Sequence, residues 1–354
     1  MLFSFNSTSV AKLEADTSSA HVNFAIDFCK DWLNGKQHFT FHTSGSTGTP
    51  KKIELTRAQL EASAKATIRT LQLTSNENIF ICLNTQLIAG AMMLVRGMLL
   101  NCELFLIEPS SDPFQFLALD HKMTFASFVP MQLGNLLKDD EKTVIKLNRF
   151  KNILVGGTSI NSLLEKKLTQ LSTNIFHTYG MTETVSHIAL KKLGKESDYS
   201  LLPEIELKKD VRNCLCIKGA VTNHQWVQTN DLVNFTDANH FTILGRADEV
   251  INSGGVKIFP SKVETAIHQV LSVLSIDIKD LFVASSKDDV LGEKLIAVLC
   301  GNKISADKEL LLKKKLTQFL SPYEIPKTFY YQAYFEKTAS GKIDKIQILK
   351  SLFK

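Results

Sequence analysis

No C-x-x-C pair occurs among the six cysteines of this chain. The single C-x-C, Cys214 and Cys216 in NCLCIKG, lies in an apolar, strand-like run. No histidine or cysteine pair at metal-ligand spacing accompanies it, so reduced thiols in a cytosolic enzyme are expected there rather than zinc. Long hydrophobic runs are missing too. The longest, Leu87 to Leu100, is interrupted by Arg96 and is too short to span a bilayer. No stable membrane insertion is therefore expected. The opening MLFSFNSTSVAKLEAD has no charged start leading into an apolar core, the mark of a secretion signal, and a cytoplasmic location is the expectation. Charge excess is small, +5 from 41 basic and 36 acidic residues. That balance suits small anionic ligands and lacks the dense basic stripe of a nucleic-acid binder, so no nucleic-acid partner is expected. No internal repeat is visible, and nothing in the chain speaks to its oligomeric state.

What is present is ordinary globular composition: 44% hydrophobic and 22% charged residues over 354 positions. This excludes a disordered chain and allows about two or three domains. Through the first 200 or so residues, apolar β-branched runs alternate with helical patterns. ENIFICLN, CELFLIE, MTFASFV, KNILVGG and NIFHTYG read as strands. IAGAMMLVRGMLL, MQLGNLLKD and SINSLLEKKLTQL read as helices, the last with Ser159 or Asn161 as cap, and DPFQFLAL as a short one. Such alternation predicts an α/β domain with layered, largely parallel sheets, whose ligands sit at the carboxyl ends of the strands. Later runs are shorter and β-rich: EIELKK, NCLCIKGA, WVQTNDLVNF and HFTILGR. The boundary is placed near Gly245–Asp248, giving a large domain over 1–244 and a small α+β domain over 245–354, of ordinary domain size.

Four stretches carry candidate chemistry. TSGSTGTPKK (43–52) holds five hydroxyl side chains, two glycines and two lysines behind a short alternating run. It is not the Walker loop, because only two residues separate Gly45 and Gly48 where that motif needs four. Glycines admit close backbone approach, hydroxyls donate and lysine supplies charge, so the stretch reads either as a loop around phosphate or as a solvated linker. In HTYGMTETVSHIA (177–189), Gly180 permits a sharp turn after a strand and Glu183 stands among hydroxyls. That carboxylate suits a magnesium ion carrying ATP phosphates, but from these residues alone a helix N-terminus capped by Thr182 is the stronger reading. Asp231, at an expected turn in TNDLVNF, and Arg246, at the end of HFTILGR, would ordinarily be surface polar groups. Lys342 in EKTASGKIDK would ordinarily be a solvated terminal lysine.

The order of these stretches is more specific than any one of them. TSGSTGTPKK, VGGTSI, YGMTE, the aspartate segment, GRADEVINSGGVKIFP and TASGKI together resemble the adenylate-forming superfamily of acyl-CoA synthetases, peptide-synthetase adenylation domains and luciferases. The resemblance spans about 40 to 345, nearly the whole chain, and implies that superfamily's fold with roughly the first hundred residues of typical relatives trimmed. It implies ATP and CoA as co-substrates and Mg2+ as metal. Thr43, Ser44, Gly45, Ser46, Thr47, Gly48 and Lys51 would hold the β- and γ-phosphates. Gly156, Gly157 and Thr158 would line the adenine slot and Tyr179 would stack on the base. Thr182 would touch the α-phosphate, Glu183 would hold magnesium, and Asp231 with Arg246 would bind the ribose. Lys342 would reach the α-phosphate and the attacking carboxylate. Asp248 would be the hinge, and Gly254, Gly255 and Lys257 would face the second half-reaction. Two positions depart from the pattern. Thr229-Asn230-Asp231 replaces T-G-D, where Asn230 is expected to keep the turn because asparagine tolerates left-handed angles. TQLIAG puts Leu87 where relatives carry a histidine.

Within the superfamily, YGMTETVSHIALKKL and IAGAMMLVRGMLL are similar to the o-succinylbenzoate–CoA ligases of menaquinone biosynthesis, in a compact form. A lone arginine inside an apolar helix costs free energy unless it meets an anion. Arg96 stands where that resemblance places a cation for the spectator benzoate carboxylate; snorkelling, or pairing with Glu103 or Glu108, is the structural alternative. Ala89, Gly90, Ser186 and His187 complete the expected acid pocket. Other acyl- or aryl-CoA synthetases, transfer to a carrier-protein thiol, and a nucleotide-binding protein without catalysis stay open. Retention of Lys342 and Glu183 speaks against the last.

Overall fold

A computed structural model describes residues 2–13, 19–42, 51–118, 121–138, 141–288, 291–337 and 343–353. Five strands run parallel in the order Glu103–Leu106, Asn78–Ile81, Phe125–Phe128, Asn152–Val155 and Asn174–Gly180. Asn152–Val155 is buried at every position, as a central parallel strand covered on both faces must be. The sheet then continues antiparallel through His187–Lys192, Tyr199–Leu201, His240–Arg246, Val227–Phe235, Cys214–Gly219 and Ile205–Lys209. Phe3–Phe5 closes the other edge, giving 12 strands in all. The sheet is thus mixed, its parallel pairing confined to the strands where strand–helix alternation was visible in sequence.

Pleating sorts neighbouring side chains into two cores. Ile79 and Ile81 join the one that holds the helices Ala20–Leu33, Arg57–Leu71 and Ile88–Leu100, while Phe80 and Cys82 join the other. Local chemistry starts these helices. Ser19 accepts from Val22 N at 3.0 Å, Thr56 and Gln59 form a reciprocal capping box, and Asn161 rather than Ser159 caps Ser162–Leu168. Ile88–Leu100 is apolar nearly all round because it is enclosed: Gly90 through Met98 are buried. DPFQFLAL supplies only one 3-10 turn, Pro113–Phe116, capped by Asp112.

Beyond Arg246 a separate core begins at Ile251. Asp280–Asp288 and Gly292–Cys300 form a long antiparallel hairpin, Thr328–Gln332 adds in parallel, and the helix Pro260–Val273 covers one face. The whole is a large mixed α/β domain with a small C-terminal sheet domain. All six cysteines are free and buried, and no helix among the described residues is long and apolar enough to cross a membrane.

Gly180 ends the last parallel strand where the chain folds back tightly. A Cβ there would lie 2.1 Å from Ser186 O and 2.4 Å from His187 Cα. Backbone cannot yield as a side chain can. Gly180→Ala is therefore expected to destabilise the protein by about 2–4 kcal/mol, measured by denaturant unfolding; a change below about 0.5 kcal/mol would show that the strand end relaxes freely.

Candidate active site

The site is built where the parallel strands end. After Gly180 the chain makes one 3-10 turn, Thr182–Thr184, instead of starting a helix. The buried Thr184 hydroxyl accepts from Met181 N at 3.1 Å and lies 2.9 Å from Ser186 O. Ser186 N bonds back to Thr184 O at 2.8 Å, which forces Val185 to φ 67° and ψ −62°. A γ-turn of this hand at a β-branched residue costs about 1–3 kcal/mol and persists only where its surroundings impose it. Its effect is to present Thr182 half-buried and Glu183 exposed. No hydrogen bond or ion pair engages the Glu183 carboxylate among the described residues, and these contain no cluster of three metal-ligating side chains. Glu183 therefore fits magnesium only as one protein carboxylate completed by phosphate oxygens and water, the way Mg2+ is commonly held.

Beside this turn, Gly156, Gly157 and Thr158 follow Asn152–Val155. A Cβ at Gly156 would sit 2.1 Å from Thr178 Oγ1, so the two strand ends touch there. The Thr158 carbonyl lies 3.2 Å from His177 Nε2. Burial lowers the His177 pKa to about 4 and keeps its ring neutral. Tyr179 is buried, with its ring against Tyr199 and Phe241. Its hydroxyl donates to Asp231 Oδ2 at 2.6 Å. Asp231 does not sit on a turn. It lies inside the strand Val227–Phe235, opposite Arg246 in register, and Asn230 has no left-handed backbone angle. The departure from T-G-D is accommodated because the segment is extended.

Arg246 links this carboxylate to Asp248. Its Nη1 donates to Asp231 Oδ1 at 3.3 Å, while Nε and Nη2 clasp Asp248 at 3.0 and 2.8 Å. Asn230 Nδ2 adds a contact to Asp248 Oδ2 at 3.3 Å. Burial raises the Asp248 pKa, but the Arg246 hydrogen bonds and charge outweigh it and hold the carboxyl below its ordinary range. Tyr179, Asp231, Arg246 and Asp248 thus form one connected chain.

Two of the acid-pocket candidates, Ser186 and His187, gather near a buried cation. Arg96 is 1% exposed and pairs with no carboxylate among the described residues. Glu103 accepts from Asn6 and Glu108 from Ser19, so neither alternative partner reaches it. Its Nη2 donates to Thr67 Oγ1 at 3.2 Å, its Nη1 lies 3.6 Å from Met93 Sδ, and its Nε has no partner. Burial pulls the guanidinium pKa down to about 9, which leaves it cationic at neutral pH. Burial, and then the Arg96 charge, push the His187 pKa well down, so that ring is neutral. His187 Nε2 also meets Thr67 Oγ1, at 2.9 Å, and Ser186 Oγ lies 3.3 Å from His187 Nδ1. A cavity of about 290 Å³ opens against His187 and Ser63, walled by Leu202, Ile205 and Val221. Ser63 Oγ is buried without a partner. Gly90 is buried at the start of the arginine helix, whereas Ala89 and Leu87 are exposed. Thr67 and Ser63 were not singled out in the sequence; hydroxyls inside an amphipathic helix carry no distinguishing pattern.

Thr43, Ser44, Gly45, Ser46, Thr47, Gly48 and Lys342 lie outside the described residues. Their frames are described. His42 pairs with Lys52 at the end of the hairpin His38–His42 and Lys52–Thr56 that adjoins 43–51, with Lys51 just before its return strand. Lys337 pairs with Ile343 on either side of the Lys342 segment. Gly254 and Gly255, at φ 56° and 81°, turn the hairpin Ile251–Ile258, on which Lys257 is exposed.

A family model for AMP-binding enzymes matches residues 19–208. The chain belongs to the AMP-binding enzyme family. The 2-succinylbenzoate–CoA ligase of Listeria innocua is 24% identical over 340 residues, covering 90% of this chain and 71% of that protein. The ligase of the same name from Haemophilus influenzae is 29% identical, covering 86% and 73%. Among solved structures, an acyl-CoA synthetase (AMP-forming)/AMP-acid ligase II-like protein from Dyadobacter fermentans is 41% identical, with TM-score 0.67, covering 99% of this chain and 100% of that one. The o-succinylbenzoate coenzyme A synthetase of Bacillus subtilis, solved with ATP and magnesium ion, is 23% identical with TM-score 0.72, covering 88% and 69%. These relatives are CoA ligases or acyl-CoA synthetases by name, the Dyadobacter protein an AMP-forming one, and the chain is an AMP-forming ligase of this family, with the fold they share.

Proposed function

We propose that the protein is an ATP-dependent acid–CoA ligase whose acid is o-succinylbenzoate, acting in the cytoplasm in menaquinone biosynthesis. The observation that carries the choice of acid is Arg96, a buried guanidinium without a carboxylate. A cation so placed needs an anion, and an acid with a second, non-reacting carboxylate supplies it. The names of the Listeria and Haemophilus relatives agree.

In this reading the reacting carboxylate attacks the α-phosphorus of ATP, pyrophosphate leaves, and an acyl-adenylate forms. The CoA thiol then attacks the acyl carbonyl and AMP leaves. The loop 43–48 with Lys51 holds the β- and γ-phosphates. Gly156, Gly157, Thr158 and Tyr179 border the adenine; Asp231, already oriented by Tyr179 and Arg246, takes the ribose hydroxyls. Thr182 donates to the α-phosphate, and Lys342 stabilises the charge that builds there in the transition state. Glu183 holds magnesium, whose charge offsets that of the phosphates. The small domain, 245–354, turns about Asp248 between the two steps and brings Gly254, Gly255 and Lys257 to the thiol-transfer face. A broader acid choice is favoured by one observation, the general acyl-CoA synthetase name of the 41% identical Dyadobacter neighbour.

A panel of carboxylic acids, each with ATP and CoA and read as AMP release, separates the two; o-succinylbenzoate should stand far above benzoate and succinate. Equal turnover of these simpler acids would overturn the assignment. For the metal, Glu183→Gln should shift the magnesium titration of activity to higher concentration by about tenfold or more, with an unchanged melting temperature. An unshifted titration would leave Glu183 no metal role.

A further inference from the structure

Thr67 lies at 0% exposure in the helix Arg57–Leu71, with three polar neighbours around one hydroxyl. These are Ser63 O at 3.1 Å, His187 Nε2 at 2.9 Å and Arg96 Nη2 at 3.2 Å. A hydroxyl has one proton and two lone pairs, a guanidinium only donates and a carbonyl only accepts. One arrangement makes all three contacts hydrogen bonds. Thr67 gives its proton to Ser63 O, and its lone pairs accept from Arg96 and from the Nε2–H of neutral His187. His187 Nδ1 is then free to accept from Ser186 Oγ, 3.3 Å away. A threonine bonding back to the carbonyl four residues earlier is common in helices and usually idle. Here that bond aims the lone pairs.

For Arg96, Thr67 is the one oxygen contact among the described residues, since its other neighbour is the Met93 sulfur, 3.6 Å away and a weak acceptor. A guanidinium is planar, so anchoring one terminal nitrogen inside a close-packed core sets the direction of the others. We propose that Thr67 is a specificity-determining positioning residue of the acid site, orienting the Arg96 guanidinium toward the spectator carboxylate. The inference rests on the reading of Arg96 given above.

The test compares two acids on the full chain: o-succinylbenzoate and 4-oxo-4-phenylbutanoate, the same keto acid without the ring carboxylate. Thr67→Val keeps the shape and removes the acceptor. It should raise KM for o-succinylbenzoate by about ten- to a hundredfold, the worth of a hydrogen bond to a charged group. KM for ATP and kcat should stay within about twofold, and Thr67→Ser should recover the wild-type KM. With 4-oxo-4-phenylbutanoate, wild type and Thr67→Val should behave alike. If Thr67→Val does not fold, Thr67→Cys, which offers a weak sulfur acceptor in its place, reads the same split. Equal losses on both acids, or no loss on the diacid, overturn the proposal. Arg96→Leu in parallel separates the failures. If it raises the diacid KM while the Thr67 variants do not, the Thr67 role falls and the acid assignment stands; if neither moves KM, the acid assignment itself falls.

Discussion

Lys342→Ala should abolish adenylation while sparing thioester formation from supplied acyl-adenylate. The reason is where charge accumulates. In the first half-reaction the reacting carboxylate and the α-phosphate bring negative charge together, and a positioned ammonium stabilises that transition state. In the second, a neutral thioester is made as AMP departs. Removing one such electrostatic contact commonly costs about 10²–10³ in rate. Among the described residues the chain is paired on either side of 338–342: Lys337 bridges Ile343, and Asp344 N bonds to Glu336 O at 2.9 Å. Single-turnover assays of each half-reaction decide it. Equal losses in both would mean that Lys342 serves the fold or a shared binding step.

Arg96→Leu should weaken o-succinylbenzoate binding by about 2–5 kcal/mol, the range for truncating one member of a buried charge pair. The fold should tolerate the change. The residue is enclosed by apolar neighbours on Ile88–Leu100, and its Nε has no partner. Replacing a buried charge that lacks a counter-ion with an apolar side chain is often neutral or stabilising. Thr67 and His187 each lose little, because Thr67 keeps its bonds to Ser63 O and to the imidazole. Binding of ATP should not change, since no described residue assigned to the nucleotide touches Arg96. Kinetics for acid and ATP with a thermal melt on this variant suffice. Unfolding would reveal a structural partner, and an unmoved KM for the acid would remove o-succinylbenzoate as the substrate.

Much of the fold was legible because periodicity reports burial. IAGAMMLVRGMLL was expected as a helix and spans Ile88–Leu100; NIFHTYG was expected as a strand and spans Asn174–Gly180. Where the sequence reading differs from the structure, a tertiary constraint prevails over a local preference. Thr229-Asn230-Asp231 looks like turn chemistry, yet pairing with His240–Arg246 keeps it extended. The start of TETV looks like a helix N-terminus, yet the return of the chain onto Gly180 leaves room for only one 3-10 turn and holds Val185 in a strained angle.

From residue order alone came the family resemblance, the strand–helix alternation and the suspicion attached to an arginine in an apolar helix, because each is a property of neighbours along the chain. Whether that arginine had found a counter-ion depends on groups far apart in sequence. Only packing could show Glu103 and Glu108 engaged elsewhere, and Thr67, His187 and Arg96 meeting at one hydroxyl from two helices and a strand. Hydrogen bonds between such distant residues follow from how the helices are set on the sheet, and no local pattern encodes them.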